Sequence, residues 1–180
     1  MNDGIPGDRI LQQGVDDGGT DIVDQIGVLE GYVPLLFDGP VNFVDAATAW
    51  VSPGLVGSGQ LIVGDTGPGT YPTSTVGTAA GRGMWVAKSG RSTGFTQAQV
   101  AEVGVAHWAG YPTGQQAFFS NSIAVHNEAF FTKQGDSGAL VWTGVDRNPV
   151  GLHFASGSNA RAFSNTISNV LDSLQVFMVA

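Results

Sequence analysis

Short apolar segments separated by turn residues run along most of the chain. Candidate strands of this kind lie at residues 84–88, 97–105, 116–119, 123–126, 139–142 and 150–155. Such spacing is typical of an all-β barrel or sandwich. Nearer the N-terminus, residues 26–37 form a strand pattern interrupted at Gly31 and Pro34, which favours a bulge or an edge position. The pattern therefore predicts an all-β fold.

The C-terminal residues break this pattern and predict a helix. Apolar residues recur there at helical spacing, namely Ile167, Val170, Leu171 and Leu174, and Asn165 is a candidate N-cap. A single apolar stripe predicts that this helix docks on the barrel. Residues 52–83 are rich in turn residues, with one strand candidate at 60–63, and predict a connection between two halves.

Composition excludes several classes of protein. The chain has 180 residues, 42% of them apolar, which suits one domain or two subdomains sharing a core. Fifteen acidic residues against seven Lys and Arg give a net charge of −8, so we expect no nucleic-acid partner. The chain has no cysteine, which excludes disulfides and a thiol nucleophile. We expect no cofactor, no metal site, no signal peptide in this chain and no membrane partner, hence a soluble protein.

One candidate for chemistry is the segment Gln134-Gly135-Asp136-Ser137-Gly138, which directly precedes a predicted strand. Its glycines permit a sharp turn and close approach of a substrate carbonyl. The N–H groups of Gly135 and Ser137 could then form a donor pair for a developing oxyanion. An ordinary surface turn is the alternative, because Gly, Asp and Ser are all turn formers.

Several segments together resemble the trypsin-like (chymotrypsin-fold) serine proteases, specifically bacterial and phage relatives without disulfides. Residues 135–142 (GDSGALVW) resemble the nucleophile loop and the strand that leaves it, and residues 150–155 (VGLHFA) the strand lining the primary specificity pocket. Residues 88–96 (KSGRSTGFT) resemble the hairpin that opens the second barrel, and residues 42–47 (NFVDAA) the segment holding the acid. The resemblance runs from about residue 8 to residue 176. It implies a double Greek-key β-barrel with a C-terminal helix.

The resemblance assigns roles to individual residues. Ser137 would be the nucleophile, Asp45 the acid that orients the base, and Gly135 with Ser137 the source of the oxyanion donors. The residues themselves indicate that a carboxylate amid Phe43 and Val44 needs a partner, because burying an unpaired charge is costly. Backbone N–H groups or a histidine N–H could each be that partner.

The sequence departs from the family at the general base. The family order is histidine, aspartate, serine, but the three histidines, His107, His126 and His153, all follow Asp45. We therefore expect the first barrel to be incomplete, with residues 1–80 its remnant and residues 81–180 the second barrel. His153 is nearest to the nucleophile by analogy, whereas His107 and His126 are expected to be strand residues with satisfied rings.

The resemblance also predicts a substrate pocket. Phe131 would lie at its base, and Phe154, Ala155 and Ser156 would form its wall, with Thr132 and Gln134 alongside. A phenylalanine at the base gives no reason to expect trypsin-like specificity, so we expect an apolar or shallow pocket.

Two functions stay open at this point. The first is the serine endopeptidase lineage, which acts on a peptide or protein substrate through a Ser137 acyl-enzyme if a histidine base is supplied. That base could come from a longer gene product or from a partner chain that completes the first barrel. The second is an inactive pseudoprotease or fragment that serves as a peptide-binding or structural module. An unpaired sheet edge would favour self-association or capture of a partner.

Overall fold

The computed structural model describes residues 4–20, 22–57, 60–62, 69–71, 74–157 and 160–179. The strands are β1 (Arg9–Leu11), β2 (Gln25–Tyr32), β3 (Val41–Asn42), β4 (Ala47–Val51), β5 (Gln60–Ile62), β6 (Gly69–Tyr71), β7 (Trp85–Gly90), β8 (Gly94–Gly110), β9 (Gln116–His126), β10 (Leu140–Thr143), β11 (Pro149–Gly157) and β12 (Arg161–Thr166). One α-helix, α1 (Ile167–Leu174), follows β12, and short 3-10 turns lie at Val15–Asp17 and Pro53–Leu55.

The second half of the chain forms a closed antiparallel barrel. Its strand order is β9-β8-β7-β10-β11-β12, and β12 pairs again with β9, which removes both sheet edges. Buried β-branched residues fill the barrel because such side chains pack well on pleated surfaces; they include Val86, Val100, Ile123, Val125 and Val141. The β prediction for this half is confirmed, except that the candidates at 116–119 and 123–126 form one continuous strand, β9.

The N-terminal region forms a smaller, open sheet. Its order is β1-β2-β4, so within the described residues β1 and β4 each have one free edge. The register of β2 against β4 shifts between Leu29 and Gly31, and β2 ends at Tyr32, ahead of Pro34. The predicted interruption of this strand is therefore confirmed. The sheet does not close into a barrel within the part of the chain that the structure describes.

Strand β3 connects the N-terminal region to the barrel. It pairs in parallel with β9, with Val41 opposite Phe118. The buried side chain of Asn42 donates to the carbonyls of Leu36, at 2.7 Å, and of Phe118, at 3.1 Å. Residues before position 80 thus contribute to both sheets, and a domain boundary at that position stays a prediction.

The C-terminal helix docks as predicted, but its start differs from the prediction. Ile167 and Val170 are buried, and Val170 packs against Val44 and Ala46. Asn165 does not cap the helix: it belongs to β12, and its Nδ2 donates to the backbone oxygen of Asp45 at 3.0 Å. Thr166 occupies the N-cap position instead.

The predicted connection between the halves contains two short strands. β5 pairs with β6 in a two-stranded sheet, which agrees with the strand candidate at 60–63 up to Ile62. Residues 63–68, which include predicted turn residues, lie outside the described residues. Among the described helices, none has the length and apolar character needed to cross a membrane.

Candidate active site

The loop that carries Ser137 is held in place by the buried side chain of Asp136. This carboxylate accepts hydrogen bonds from Ser92 N at 2.7 Å, Thr93 Oγ1 at 2.7 Å and Lys133 N at 2.9 Å. Two of these donors come from the β7–β8 turn. The loop preceding Ser137 is therefore fixed to the turn that resembles the family's hairpin.

Lys88 provides a buried positive charge beneath the same loop. Its side chain is fully buried, and its Nζ lies 3.7 Å from Asp136 Oδ2 and donates to the oxygen of Gly94 at 2.9 Å. Burial lowers the pKa of Lys88, although the nearby charge of Asp136 opposes this. Burial raises the pKa of Asp136, but hydrogen bonds from Thr93, Lys133 and Ser92 outweigh it, so that this pKa is lowered. The geometry is that of a buried ion pair.

Two backbone donors near Ser137 have no acceptor in the part of the protein that the structure describes. Asp136 N donates to Lys133 O at 3.1 Å and Gly138 N to His153 O at 2.8 Å. Within the described residues, the N–H groups of Gly135, just before Asp136, and of Ser137, just after it, make no such bond. Unused donors beside a nucleophile can stabilise a developing oxyanion.

Gly135 has a backbone conformation that favours glycine. Its φ is +96°, and a Cβ at this position would collide with Ser92 Oγ. The hydroxyl of Ser92 donates to Gln134 O at 2.6 Å, which keeps it in this position. A side chain at position 135 would therefore disturb the loop that carries the candidate oxyanion donors.

The Ser137 hydroxyl is exposed and is not bonded to a histidine. It donates to Phe154 O at 3.2 Å. The ring of His153 is buried, with 1% of the residue exposed, and its Nδ1 has no partner among the described residues. Burial lowers the pKa of His153 to about 4, so this ring is neutral near neutral pH. Sequence analogy places His153 nearest to the nucleophile, but it does not hydrogen-bond to Ser137.

The other two histidines have different surroundings. His126 Nδ1 lies 3.2 Å from Glu128 Oε1, in a contact that is exposed to solvent. His107 stacks on Phe163 with ring centroids 3.8 Å apart, and its Nε2 lies 3.2 Å from Ser122 Oγ. Its Nδ1 is buried and has no partner within the described residues. Neither ring hydrogen-bonds to Ser137.

Asp45 is half-buried, and its carboxylate is bonded to a tyrosine. Tyr111 Oη donates to Asp45 Oδ2 at 2.7 Å. The backbone N–H of Asp45 donates to Asn165 Oδ1 at 3.2 Å. Burial, followed by the hydrogen bond and the charge of Asp45, raises the pKa of Tyr111, which stays a neutral donor. The sequence allowed either a backbone N–H or a histidine N–H as the donor to this carboxylate. In the structure the donor is the phenol of Tyr111.

Asp45 and Ser137 line the same cavity. Its volume is about 610 Å³, and its wall also includes Tyr111 and Phe154. Apolar side chains form much of the remainder, among them Leu29, Val33, Leu35, Ala46 and Leu152. The structure therefore brings the predicted acid and nucleophile to one open site.

A second cavity contains most of the predicted pocket residues. It has a volume of about 620 Å³ and is lined by Ser137 together with Gln134, Phe154, Ala155 and Ser156, as well as His107, His153, Lys133 and Phe163. Thr132 lies behind this wall, with its Oγ1 2.9 Å from Ser156 Oγ. The imidazoles and the Ser156 hydroxyl make this cavity more polar than the apolar pocket that Phe131 suggested.

Phe131 lies in the barrel core rather than along this cavity. Only 2% of the residue is exposed, and it packs in the cluster that contains Val86 and Val100. Its ring centroid is 5.8 Å from Lys88 Nζ. Its place in the structure is thus between the core and the buried ion pair.

A third cavity extends from Ser137 towards the N-terminal segment. Its volume is about 530 Å³, and its lining includes Gln13, Asp17, Arg91 and Gly135. Arg91 Nε donates to Asp17 Oδ2 at 2.6 Å, which connects the N-terminal segment to the β7–β8 turn. Among the described residues, no cluster of His, Asp and Glu could hold a metal ion.

Solved structures provide the comparison for this arrangement. A glutamic acid specific serine protease, described as utilizing a novel histidine triad in substrate binding, is 22% identical, with a TM-score of 0.63 over 91% of this chain and 76% of that chain. Cellulomonas bogoriensis chymotrypsin is 19% identical, with a TM-score of 0.60 over 90% of this chain and 79% of that one. Nocardiopsis protease is 18% identical, with a TM-score of 0.62 over 89% of this chain and 78% of that one. No family model and no curated protein matches the sequence. The chain has the trypsin-like (chymotrypsin) fold of these bacterial serine proteases.

Proposed function

We propose that this chain is a protein of the serine endopeptidase lineage that binds extended peptides beside Ser137 and hydrolyses them when an imidazole base is supplied. The shared cavity of Asp45 and Ser137 carries this proposal. The unused N–H groups of Gly135 and Ser137 support it. Among the described residues, His107, His126 and His153 make no hydrogen bond to Ser137, so in this proposal the base is supplied separately.

The chemistry follows from these groups. A supplied imidazole takes the proton of Ser137 Oγ while this oxygen attacks the peptide carbonyl carbon. The N–H groups of Gly135 and Ser137 stabilise the resulting oxyanion. The carbon–nitrogen bond then breaks, and the imidazolium returns its proton to the leaving amine. Water then attacks the acyl ester while the imidazole takes a proton from the water, and this proton returns to Ser137 Oγ as the ester bond breaks. Without the base, we expect a rate lower by ~10⁴–10⁶-fold.

We assign the polar cavity to the side chain preceding the scissile bond and propose that it prefers a carboxylate. His107 and His153 each have a buried Nδ1 without a protein partner, and burial lowers the pKa of both rings. A neutral imidazole retains one N–H donor. These donors, with the Ser156 hydroxyl and the ammonium of Lys133, suit an acidic side chain. The neighbour described as glutamic acid specific supports this assignment.

The second candidate function is peptide binding without turnover. The Tyr111 hydrogen bond occupies one oxygen of the Asp45 carboxylate, which is the group that would orient a base. The open edges of β1 and β4 also favour self-association or a partner strand. Both candidates use the same cleft and differ only in whether Ser137 reacts.

Labelling with a fluorophosphonate probe distinguishes the two candidates. The purified chain is treated with the probe over a series of imidazole concentrations, with Ser137→Ala as the negative variant and Ser168→Ala, at an exposed helix position, as the matched control. We expect labelling to require imidazole and to disappear only in Ser137→Ala. Labelling without imidazole would show that the chain contains its own base. Folded protein that is never labelled would support peptide binding alone.

The assigned pocket is tested by binding rather than by turnover. Peptides that differ only in Glu or Leu at one position are compared on Ser137→Ala by isothermal titration calorimetry. We expect the Glu peptide to bind more tightly and His107→Phe to remove this preference. His126→Phe, at an exposed histidine, should retain it. Equal affinities for the two peptides would refute the assignment.

A further inference from the structure

We infer that the cavity shared by Asp45 and Ser137 receives a histidine side chain of a second polypeptide, in competition with Tyr111. The hydrogen bond from Tyr111 Oη to the Asp45 carboxylate is called the latch below. The inference concerns binding; its catalytic consequence rests on the proposed function. It follows from the contacts of Tyr111, from the way Asp45 is anchored and from the lining of the cavity.

The latch is a single hydrogen bond to the group that an incoming imidazole would need. The distance of 2.7 Å from Tyr111 Oη to Asp45 Oδ2 is typical of a bond between a hydroxyl and a carboxylate. An imidazole N–H that bonds to the same carboxylate oxygen must displace the phenol or share Oδ2 with it. Tyr111 therefore lowers the affinity of the cavity for such a ring.

Asp45 is the fixed partner of this pair. Asn165 bonds to both backbone groups of Asp45, accepting from its N–H at 3.2 Å and donating to its carbonyl at 3.0 Å. The neighbouring side chains Val44 and Ala46 are buried against the helix. The backbone that carries the carboxylate is thus fixed, so Asp45 remains at the cavity when the phenol leaves it.

Tyr111 is the part that can move. Its backbone is held in the β8–β9 turn, donating to Gln115 O at 3.0 Å and accepting from Gly114 N at 2.9 Å. Its ring is half-buried and makes an edge contact with Phe37, with centroids 5.5 Å apart. The side chain also lines the cavity, so a rotation about its side-chain torsions releases Asp45 without changing the turn.

The chemistry of the cavity selects imidazole. A ligand that bridges Asp45 and Ser137 would donate to the Asp45 carboxylate and accept from the Ser137 hydroxyl in place of its bond to Phe154 O. Neutral imidazole carries a donor and an acceptor on separate ring nitrogens. The apolar wall, which includes Leu29 and Val33, suits the carbon edge of such a ring.

The open N-terminal sheet indicates how the histidine is carried. Leu29 of β2 and Ala47 of β4 line the cavity, so this sheet forms part of its wall. The edges of β1 and β4 are free among the described strands. An extended segment that pairs with such an edge gains main-chain hydrogen bonds and can place a histidine into the cavity. The structure therefore points to strand addition as the mode of binding.

Imidazole is the probe for this inference, and its binding is measured by NMR titration of the folded chain. Tyr111→Phe removes the phenolic hydroxyl and keeps the ring. We expect this variant to bind imidazole about tenfold more tightly, since a hydrogen bond to a charged group no longer competes. Tyr32→Phe is the matched control, because Tyr32 lines the same cavity and its hydroxyl does not bond to Asp45. It should leave the affinity unchanged.

The Asp45→Asn background completes the test. There, Tyr111→Phe should no longer tighten imidazole binding, because the competition concerns the carboxylate. Equal affinities of the parent and Tyr111→Phe, or the same gain in Tyr32→Phe, would overturn the inference. Near-UV circular dichroism establishes that each variant is folded.

Fluorophosphonate labelling of the same samples separates this inference from the proposed function. Imidazole binding with the expected order of affinities but no labelling of Ser137 would refute hydrolysis and leave the latch standing. Imidazole-dependent labelling with equal affinities in the parent and Tyr111→Phe would refute the latch and leave hydrolysis standing.

Discussion

Lys88 is the residue whose replacement tests most directly how the Ser137 loop is held. Lys88→Met removes the ammonium group and keeps an unbranched side chain in a fully buried position. Asp136 then loses the charge 3.7 Å from its Oδ2 and retains its bonds to Ser92 N and Lys133 N. The variant therefore leaves a buried carboxylate with hydrogen bonds but without a counter-charge.

The expected loss of stability follows from this environment. Removing one partner of a buried ion pair costs about 3–5 kcal/mol. Asp136 keeps the hydroxyl of Thr93 at 2.7 Å in addition to its backbone donors. These bonds compensate for part of the missing charge, so we expect the lower end of that range, about 3 kcal/mol in the free energy of unfolding.

Urea unfolding at neutral pH measures this quantity. Lys133→Met is the matched control, because Lys133 is exposed and lies over the Phe130 ring, with its Nζ 4.6 Å from the ring centroid. An exposed contact of this kind contributes about 0.5–1 kcal/mol. If Lys88→Met lost no more stability than Lys133→Met, the argument for a stabilising buried pair would be refuted.

Two further outcomes concern His153 and Gly135. Burial lowers the pKa of His153 from 6.5 to about 4, so between these pH values the unfolded chain binds a proton that the folded chain does not. Stability present above pH 6.5 should be lost as the pH falls towards 4, by ~3 kcal/mol for this group. In urea unfolding, His153→Phe should make the free energy of unfolding depend less on pH in this range. An unchanged pH dependence would contradict a buried, neutral His153. Gly135→Ala should lower the thermal unfolding midpoint more than Gly114→Ala does, because φ is positive at both positions but only position 135 adds a collision with Ser92 Oγ. Equal shifts would show that the collision is relieved.

The barrel strands and the terminal helix were predictable because their signals are local. Alternating and β-branched residues specify strands such as β7 and β9, and the stripe from Ile167 to Leu174 specifies the helix. The interruption of β2 near Gly31 is equally local. Such features depend on neighbours within one element, which a single sequence contains.

The contacts around Asp45 depend on topology and could not be predicted in this way. Tyr111 is 66 residues from Asp45 along the chain, and Asn165 is 120 residues away. Tyr111 lies in no recognisable motif, and the only signal in the sequence was that the carboxylate needs a donor. The spacing of Asn165 predicted a helix cap, but its side chain hydrogen-bonds to the backbone of Asp45 instead.

The position of Phe131 shows a further limit. Its place in the sequence relative to Ser137 matched the pocket base, but the direction of a side chain depends on how the surrounding strands pack. In the structure the ring joins the core cluster of Val86 and Val100. Ser156 and the unexpected His107 line the cavity instead.

The two asparagines that hold the segment of Asp45 have a consequence for how this fold can vary. Asn165 belongs to β12, and Asn42 bonds to the carbonyl of Phe118 on β9, so both attach the acid's segment to the closed barrel. The position of Asp45 relative to the barrel therefore rests on two contacts that β1, β2 and β4 do not make. We expect sequence changes in these strands to affect the cavity wall, which includes Leu29 of β2 and Ala47 of β4, more than the attachment of Asp45. Inherited or engineered change in the N-terminal sheet would then alter what the cavity binds while the predicted acid stays attached to the barrel.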